Sequence, residues 1–261
     1  SDGFNIGLGL ESQLNENHYV GLNGRVIFNT VDDTLNSFTD IFTVQPPELN
    51  EILFSQSLVD GNSNNLLING FHLWTLENDS SITSNLSYGV FDSEKSTLQP
   101  NTYFEADGST VLTTDDTQFD SDTQINLWSL KVDYEKNWDK VSLSTGFKYA
   151  QVKTENIFNF FNANNQTLVF DPNQSNAFDY TENVTSFYTN LNFKLSEKWT
   201  INTGLRIENT DSRGKLFSEV DVDNNDVSRN YTDFFPNVGL SYDNQENHSF
   251  NLSLGRRITR P

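Results

Sequence analysis

At 261 residues with a formal charge of −20, the chain carries too few Lys and Arg for phosphate-backbone binding, which excludes nucleic acid as a partner. Apolar residues make up 35% and the mean hydropathy is −0.56, low for a compact globule, yet aromatics reach 13%, too many for a disordered chain. There is no Cys, so disulfides and thiol chemistry are excluded, and no apolar run approaches the roughly 18 residues of a membrane helix, a limit that does not apply to β-barrel strands.

Ten strands are predicted, near 3–14, 18–30, 66–77, 81–91, 123–135, 140–151, 184–195, 198–209, 234–243 and 248–256. The first sets Phe4, Ile6, Leu8 and Leu10 against Asn5, Gly7, Gly9 and Glu11; the second sets Val20, Leu22, Val26 and Phe28 against Gly21, Asn23 and Arg25. The stretch 66–77 is apolar on both faces and has no evident orientation. Ile82, Leu86, Tyr88 and Val90 oppose Thr83, Asn85, Ser87 and Gly89. In 123–135 the apolar set shifts from Ile125 and Leu127 to Leu130, Val132 and Tyr134, which predicts a bulge near Trp128. Regular alternation resumes with Val141, Leu143, Phe147 and Tyr149, then Phe187, Leu191, Phe193 and Leu195. It continues through Trp199, Ile201, Leu205 and Ile207, then Phe234, Val238, Leu240 and Tyr242, and ends with Phe250, Leu252 and Leu254.

Successive side chains of a strand point to opposite faces, so these are sheet strands with one greasy and one wet side. No charge falls on the apolar side of the eight regular strands. Most are 9–13 residues long, enough for the roughly 9–11 that a tilted membrane strand needs. Two media satisfy the apolar rows: acyl chains, or the packed interior of a soluble all-β domain. Aromatics near strand ends, among them Phe4, Tyr19, Tyr134, Trp138, Trp199, Tyr242 and Phe250, fit a lipid-interface girdle.

Five joints are short, at 15–17, 78–80, 136–139, 196–197 and 244–247. They alternate strictly with four long ones, near 31–65, 92–122, 152–183 and 210–233. All tight turns therefore fall at one end of an up-and-down meander, as in transmembrane barrels with short periplasmic turns and long extracellular loops. The long segments hold 24 of the 36 acids and 5 of the 16 bases, so acidity belongs to one end of the molecule. Within the first of them, Leu49, Ile52, Leu53 and Leu58 after Pro47 stand near helical spacing and predict a short helix.

No catalytic constellation, cofactor site or metal site is predicted. His18, His72 and His248 are far apart in sequence, and two of them follow short turns. Asp221, Asp223 and Asn225 have the alternate spacing of a calcium loop, but Asp226 stands where glycine is needed and Thr232 where glutamate is. The cluster at 156–166 offers Phe158, Phe160, Phe161 and Asn162 for stacking on an extracellular ligand or for packing the loop. Arg256, Arg257 and Arg260 suit lipid phosphates, acidic loops or a structural ion pair. The Asn-x-Ser/Thr matches at Asn85 and Asn251 fall inside strands and reflect the abundance of Asn.

The C-terminal stretch "FFPNVGLSYDNQENHSFNLSLGRRITRP", 234–261, resembles a recurring segment of the β-barrel domain of TonB-dependent receptors in Bacteroidota, the outer membrane protein β-barrel family. The resemblance rests on a Phe-Pro opening a strand, the alternating "NVGLSY", a polar turn ending in His248, the alternating "FNLSLG" and the exit "RRITRP". "FYTNLNFKLSEKWTINTGLRIENT", 187–210, resembles the preceding hairpin. The resemblance implies a 22-stranded barrel in the outer membrane of a Gram-negative bacterium, plugged and energised for nutrient import. With no Met, no plug, no coupling box and an end in mid-pattern at Pro261, the chain is expected to be a piece of such a barrel with about ten strands. Its partners are then outer-membrane lipid, an unidentified extracellular ligand and other envelope proteins. A non-transporting scaffold or adhesion barrel is the alternative, and a soluble all-β ligand-binding domain the second.

Overall fold

A computed structural model describes residues 2–164, 167–244 and 246–257. They form one antiparallel sheet: β1 Asp2–Asn15, β2 His18–Phe42, β3 Leu49–Leu76, β4 Ser80–Glu105, β5 Val111–Asn137, β6 Val141–Asn164, β7 Thr167–Phe170, β8 Asn176–Lys194, β9 Trp199–Ser218, β10 Asp226–Asp243 and β11 Ser249–Gly255. Neighbours in sequence are neighbours in the sheet, except that β6 pairs β8 directly and the four-residue β7 pairs only β6. β1 and β11 each pair on one side, so the meander is open. The ten predicted strands are all present, and β7 is the addition.

The five tight turns share one end, and side chains close them. Asn15 Oδ1 accepts the Asn17 N–H at 2.9 Å, and Ser196 Oγ accepts the Trp199 N–H at 3.2 Å. Asn244 Oδ1 takes the N–H groups of Glu246, Asn247 and His248 at 2.9, 3.0 and 3.0 Å. In the three-residue turn between the paired Leu76 and Ser80, Asn78 and Asp79 both sit at positive φ, 58° and 54°, a backbone that Asn and Asp tolerate.

From Leu8 the row of paired residues runs through Gly24, Ile68, Tyr88, Trp128, Gln151, Asn183 and Asp211 to Asn230. Leu8 stands seven residues from the turn end of β1 and Asn230 thirteen from that of β10. With about 3.3 Å per residue and about 4.8 Å between strands, level turns give a strand tilt of roughly 27°, somewhat below the roughly 35–45° usual in membrane barrels.

No hydrophobic side chain is buried among the described residues. The buried ones are Ser55, Ser80, Thr97, Asp133, Ser175, Ser186, Glu208 and Thr210, all polar. Mid-sheet Phe187, Leu86 and Leu22 remain 59, 56 and 55% exposed. Among the described residues no second layer packs on the apolar rows, the arrangement of a sheet whose apolar side is bathed in acyl chains. A hollow of about 980 Å³ touches β5, β6 and β8 to β11 and is lined largely by polar-face residues, among them Lys131, Lys148, Asn190 and Arg206. The sheet therefore curves around its wet side.

Pairing corrects four expectations. The stretches 31–65, 92–122, 152–183 and 210–233 are mostly strand, the upper halves of long hairpins interrupted only by segments at 43–48, 106–110, 171–175 and 219–225, the third of them joining β7 to β8. Both faces meet water there, so apolar alternation fades while backbone pairing persists. The expected helix at 46–58 is the start of β3, where Phe54 packs on Phe38 with ring centroids 4.8 Å apart and Leu53 pairs Tyr103. No bulge occurs near Trp128, because pairing to both neighbours is unbroken. Ile125 and Leu127 instead lie on the wet face. There Leu67 and Leu127 approach the open side of Gly89, at 3.6 and 4.0 Å from where a Cβ would stand. The same register orients 66–77, with Trp74, His72, Ile68 and Leu66 on the apolar face and Leu73, Phe71, Asn69 and Leu67 on the wet one.

Candidate functional site

The wet face carries fixed charges in mutually satisfied groups. Lys131 Nζ lies 2.7 Å from Asp133 Oδ2, and the Tyr188 hydroxyl donates to the other carboxylate oxygen. The Tyr188 ring covers Gly146, where a Cβ would come within 2.6 Å of it. One strand further, Arg206 donates to Glu208 Oε2 at 3.0 Å and to Ser186 Oγ at 3.0 Å, and the Ser186 hydroxyl donates to Glu208 at 3.2 Å. These residues alternate with lipid-type positions along β5, β8 and β9, so period two alone delivers them to one wall. The ring over Gly146 fills a gap that the glycine leaves, as Phe71 does over Gly21. Sequence reasoning assigned this wall only as a hydrated face; its ion pairs join residues two apart on one strand and follow from period two, while the bonds from Tyr188 and Ser186 required the register.

On the opposite face the apolar belt has two aromatic edges. Near the tight turns, Trp199 and Tyr242 stand 4.7 Å apart by ring centroids, and Tyr242 stacks on Phe250 at 6.3 Å. Trp138 sits in its turn, 52% exposed, with the Lys136 ammonium 5.9 Å from its ring. The far edge, missed in the sequence, is Tyr88, Trp128 and Tyr149; Trp128 and Tyr149 have centroids 4.8 Å apart. Polar groups close that edge: the Trp128 indole N–H donates to Gln151 at 3.1 Å and the Tyr149 hydroxyl to Asn183 at 2.8 Å. From Tyr242 to Phe234 along β10 the belt spans eight residues, about 26 Å of strand and, at the tilt of roughly 27°, about 23 Å of height, close to a membrane band of about 25 Å. Two girdle assignments change. Tyr19 is on the wet face, bonded to Glu11, and Phe4 lies at the end of β1 away from the turn.

At the hairpin ends, Phe158 and Phe160 lie on the wet face, where Phe158 meets Phe119 at 5.9 Å. Phe161 points the other way, onto Phe170 at 5.7 Å, and Asn162 donates to Asp171 at 2.9 Å. The four candidates are thus split between two faces. Acidic groups at these ends are held by local donors. The Thr110 and Ser109 N–H groups hold the Asp107 carboxyl down to about 2, and the Gln174 amide keeps Asp171 below its ordinary value. Asp226 is lowered by Arg213, whose Nε donates to it at 2.9 Å, so it is engaged in an ion pair beside the calcium-like spacing. Among the described residues no three His, Asp or Glu converge on a metal position.

Two histidines far apart in sequence do meet. His18 Nδ1 and His72 Nε2 are 2.9 Å apart on the apolar face, with Trp74 stacked on His18. Arg256 forms an ion pair with Asp233 at 2.6 Å and donates to the Phe234 carbonyl at 3.0 Å. Arg260 lies outside the described residues.

An open meander with a lipid-height apolar belt outside and a charged, hydrated wall inside is the wall of a transmembrane β-barrel. A family model described as the outer membrane protein beta-barrel family matches residues 74–261, and the chain belongs to that family. Its location is accordingly the outer membrane of a Gram-negative bacterium. No curated protein sequence matches the chain. Among solved structures it is similar to the ferric yersiniabactin uptake receptor FyuA from Yersinia pestis, at 9% identity and a TM-score of 0.41 over 94% of this chain and 43% of that one. The siderophore receptor PiuA from Acinetobacter baumannii matches at 10% identity and 0.44, over 95% of this chain and 46% of that one. The outer membrane protease OmpT from Escherichia coli matches at 11% and 0.30, over 87% of this chain and 78% of that one. The chain spans under half the length of the two receptors.

Proposed function

We propose that this chain is wall and hairpins of an outer-membrane receptor, of the TonB-dependent kind, that takes up an extracellular ligand and catalyses no reaction. The observation that carries the reading is continuity. The inner face of β5 to β10, polar and hydrogen-bonded apart from a patch at Ile125 and Leu127, runs from the turn end, past the belt, into long hairpins whose wet side bears Phe158, Phe160, Phe178 and Tyr180. A scaffold needs an outer belt; it has no need of an inner wall continuous with aromatic-lined hairpin ends. On this reading the hairpins face the medium, and Trp138, Trp199, Tyr242 and Phe250 meet lipid headgroups on the periplasmic side.

The test is growth of a strain lacking the full-length protein, and of its complemented parent, on single limiting nutrients spanning metal chelates, glycans and peptides. A receptor loses growth on at least one nutrient and regains it on complementation. Equal growth of both strains on all of them supports the scaffold.

A further inference from the structure

We propose that the wet face of the upper β8–β9–β10 sheet holds a slot for a flat, π-faced molecule bearing a single negative charge, such as an aromatic carboxylate. Phe178 and Tyr180 stand on alternate positions of β8, so both rings rise from the same face. Their centroids are 6.4 Å apart and their planes within 15° of parallel. That separation, the most the gap between the planes can be, is just under two van der Waals layers of about 3.5 Å. A flat ring therefore enters by parting the two rings by at least a few tenths of an ångström, and a puckered sugar needs more.

Gly214, paired with Tyr180, keeps the gap empty. A Cβ there would lie 3.2 Å from the Phe178 ring and 3.7 Å from that of Tyr180, between the two. The Tyr180 hydroxyl donates to Glu182 at 2.8 Å, which fixes the ring's outer end. The rings line a cleft of about 350 Å³, completed by Ser212, Arg229 and the rim residue Asn225.

Arg229 sets the charge. Arg25, Arg206, Arg213 and Arg256 each donate to a side-chain acceptor, while Arg229 has no ion pair or hydrogen bond among the described residues. Pairing places Glu182, Ser212 and Arg229 in one row, with the backbones of the acid and the arginine two strand spacings, about 10 Å, apart and the Glu182 carboxylate engaged by the Tyr180 hydroxyl. A carboxylate in the cleft meets Arg229 directly. The acidity of this end of the molecule disfavours multiply charged anions and leaves a monoanion as the matching guest. As a statement about the imported ligand the slot rests on the receptor reading; as a binding site it does not.

The test uses outer-membrane vesicles with and without the full-length protein. The probes are 2-naphthoate, its neutral counterpart 2-naphthamide, and glucuronate as a monoanionic sugar. Protein-dependent binding of naphthoate at least tenfold tighter than of either other probe is expected. Arg229→Met should reduce naphthoate to the level of naphthamide, and Gly214→Val should abolish binding of both naphthyl probes, each in protein whose heat-modifiable gel band shows a folded barrel. If the glycine variant does not fold, the arginine variant and the probe series decide alone. Equal binding of naphthoate and naphthamide, tighter binding of glucuronate, no binding, or indifference of folded variants overturns the slot. A growth defect without naphthoate binding removes the slot and keeps the receptor; naphthoate binding without a growth defect does the reverse.

Discussion

The Asp107 carboxylate shows how single residues stabilise the exposed ends of this sheet. It accepts the Thr110 N–H at 2.9 Å, the Ser109 N–H at 2.8 Å and the Thr110 hydroxyl at 2.7 Å. Because these bonds favour the charged form, the folded carboxyl titrates at about 2, below its ordinary 3.8. Its contribution to the order of the β4–β5 tip is therefore complete above about pH 4 and lost as pH falls through about 2. A ¹³C titration of this carboxyl should have its midpoint near 2; a midpoint near 4 would mean that the bonds are not made. Other residue-level features follow period two once it is trusted. Phe158 and Phe161 differ by three positions and therefore had to face opposite ways. The approach of His18 to His72 depends on register across 54 residues and has no signature in either local sequence.

At the scale of the strand and hairpin, what the sequence revealed was the part bathed by two different media. Between the aromatic edges each strand sees an apolar medium on one side and a wet one on the other, and alternation marks its limits to within a few residues. Above the belt both sides are wet, so Asp32, Asp60, Ser96 and Asp120 fall on the former apolar face with no periodic contrast, although they remain paired neighbours. The unoriented stretch 66–77 and the misread 123–135 have one cause: Leu67, Phe71, Ile125 and Leu127 are apolar residues on an otherwise polar wall, where Gly89 leaves room for Leu67 and Leu127 and Gly21 for Phe71. Hydrogen exchange tests the hairpin tops. The alternate amides of residues 34–41 that point to β3 should be protected, and Phe54→Ala, which removes an aromatic pair worth about 0.5–1.5 kcal/mol, should speed their exchange by roughly 2- to 12-fold. Absence of protection in the parent protein would restore the long loops.

For the whole molecule, the inside-out distribution decides the architecture. A sheet whose buried side chains are all polar and whose Leu and Phe rows stand open is unstable in water, because apolar patches of that extent associate or aggregate. Acyl chains remove the difficulty, and a charge placed on those rows at the bilayer midplane costs about 2–4 kcal/mol. The free edges of β1 and β11 are compatible with the same setting only when paired with further strands. The chain has no Cys, so single cysteines placed in it report the medium at each position once any Cys elsewhere in the full-length protein is replaced by Ser. The most direct measurement places them, one at a time, at Leu86, Leu191 and Leu240 and at their neighbours Asn85, Asn190 and Ser241, in the full-length protein in outer-membrane vesicles. Labelling with a membrane-impermeant maleimide should be blocked at the three leucine positions and proceed at their neighbours. Labelling of the leucine positions at rates equal to or above those of their neighbours would contradict a lipid-facing apolar belt.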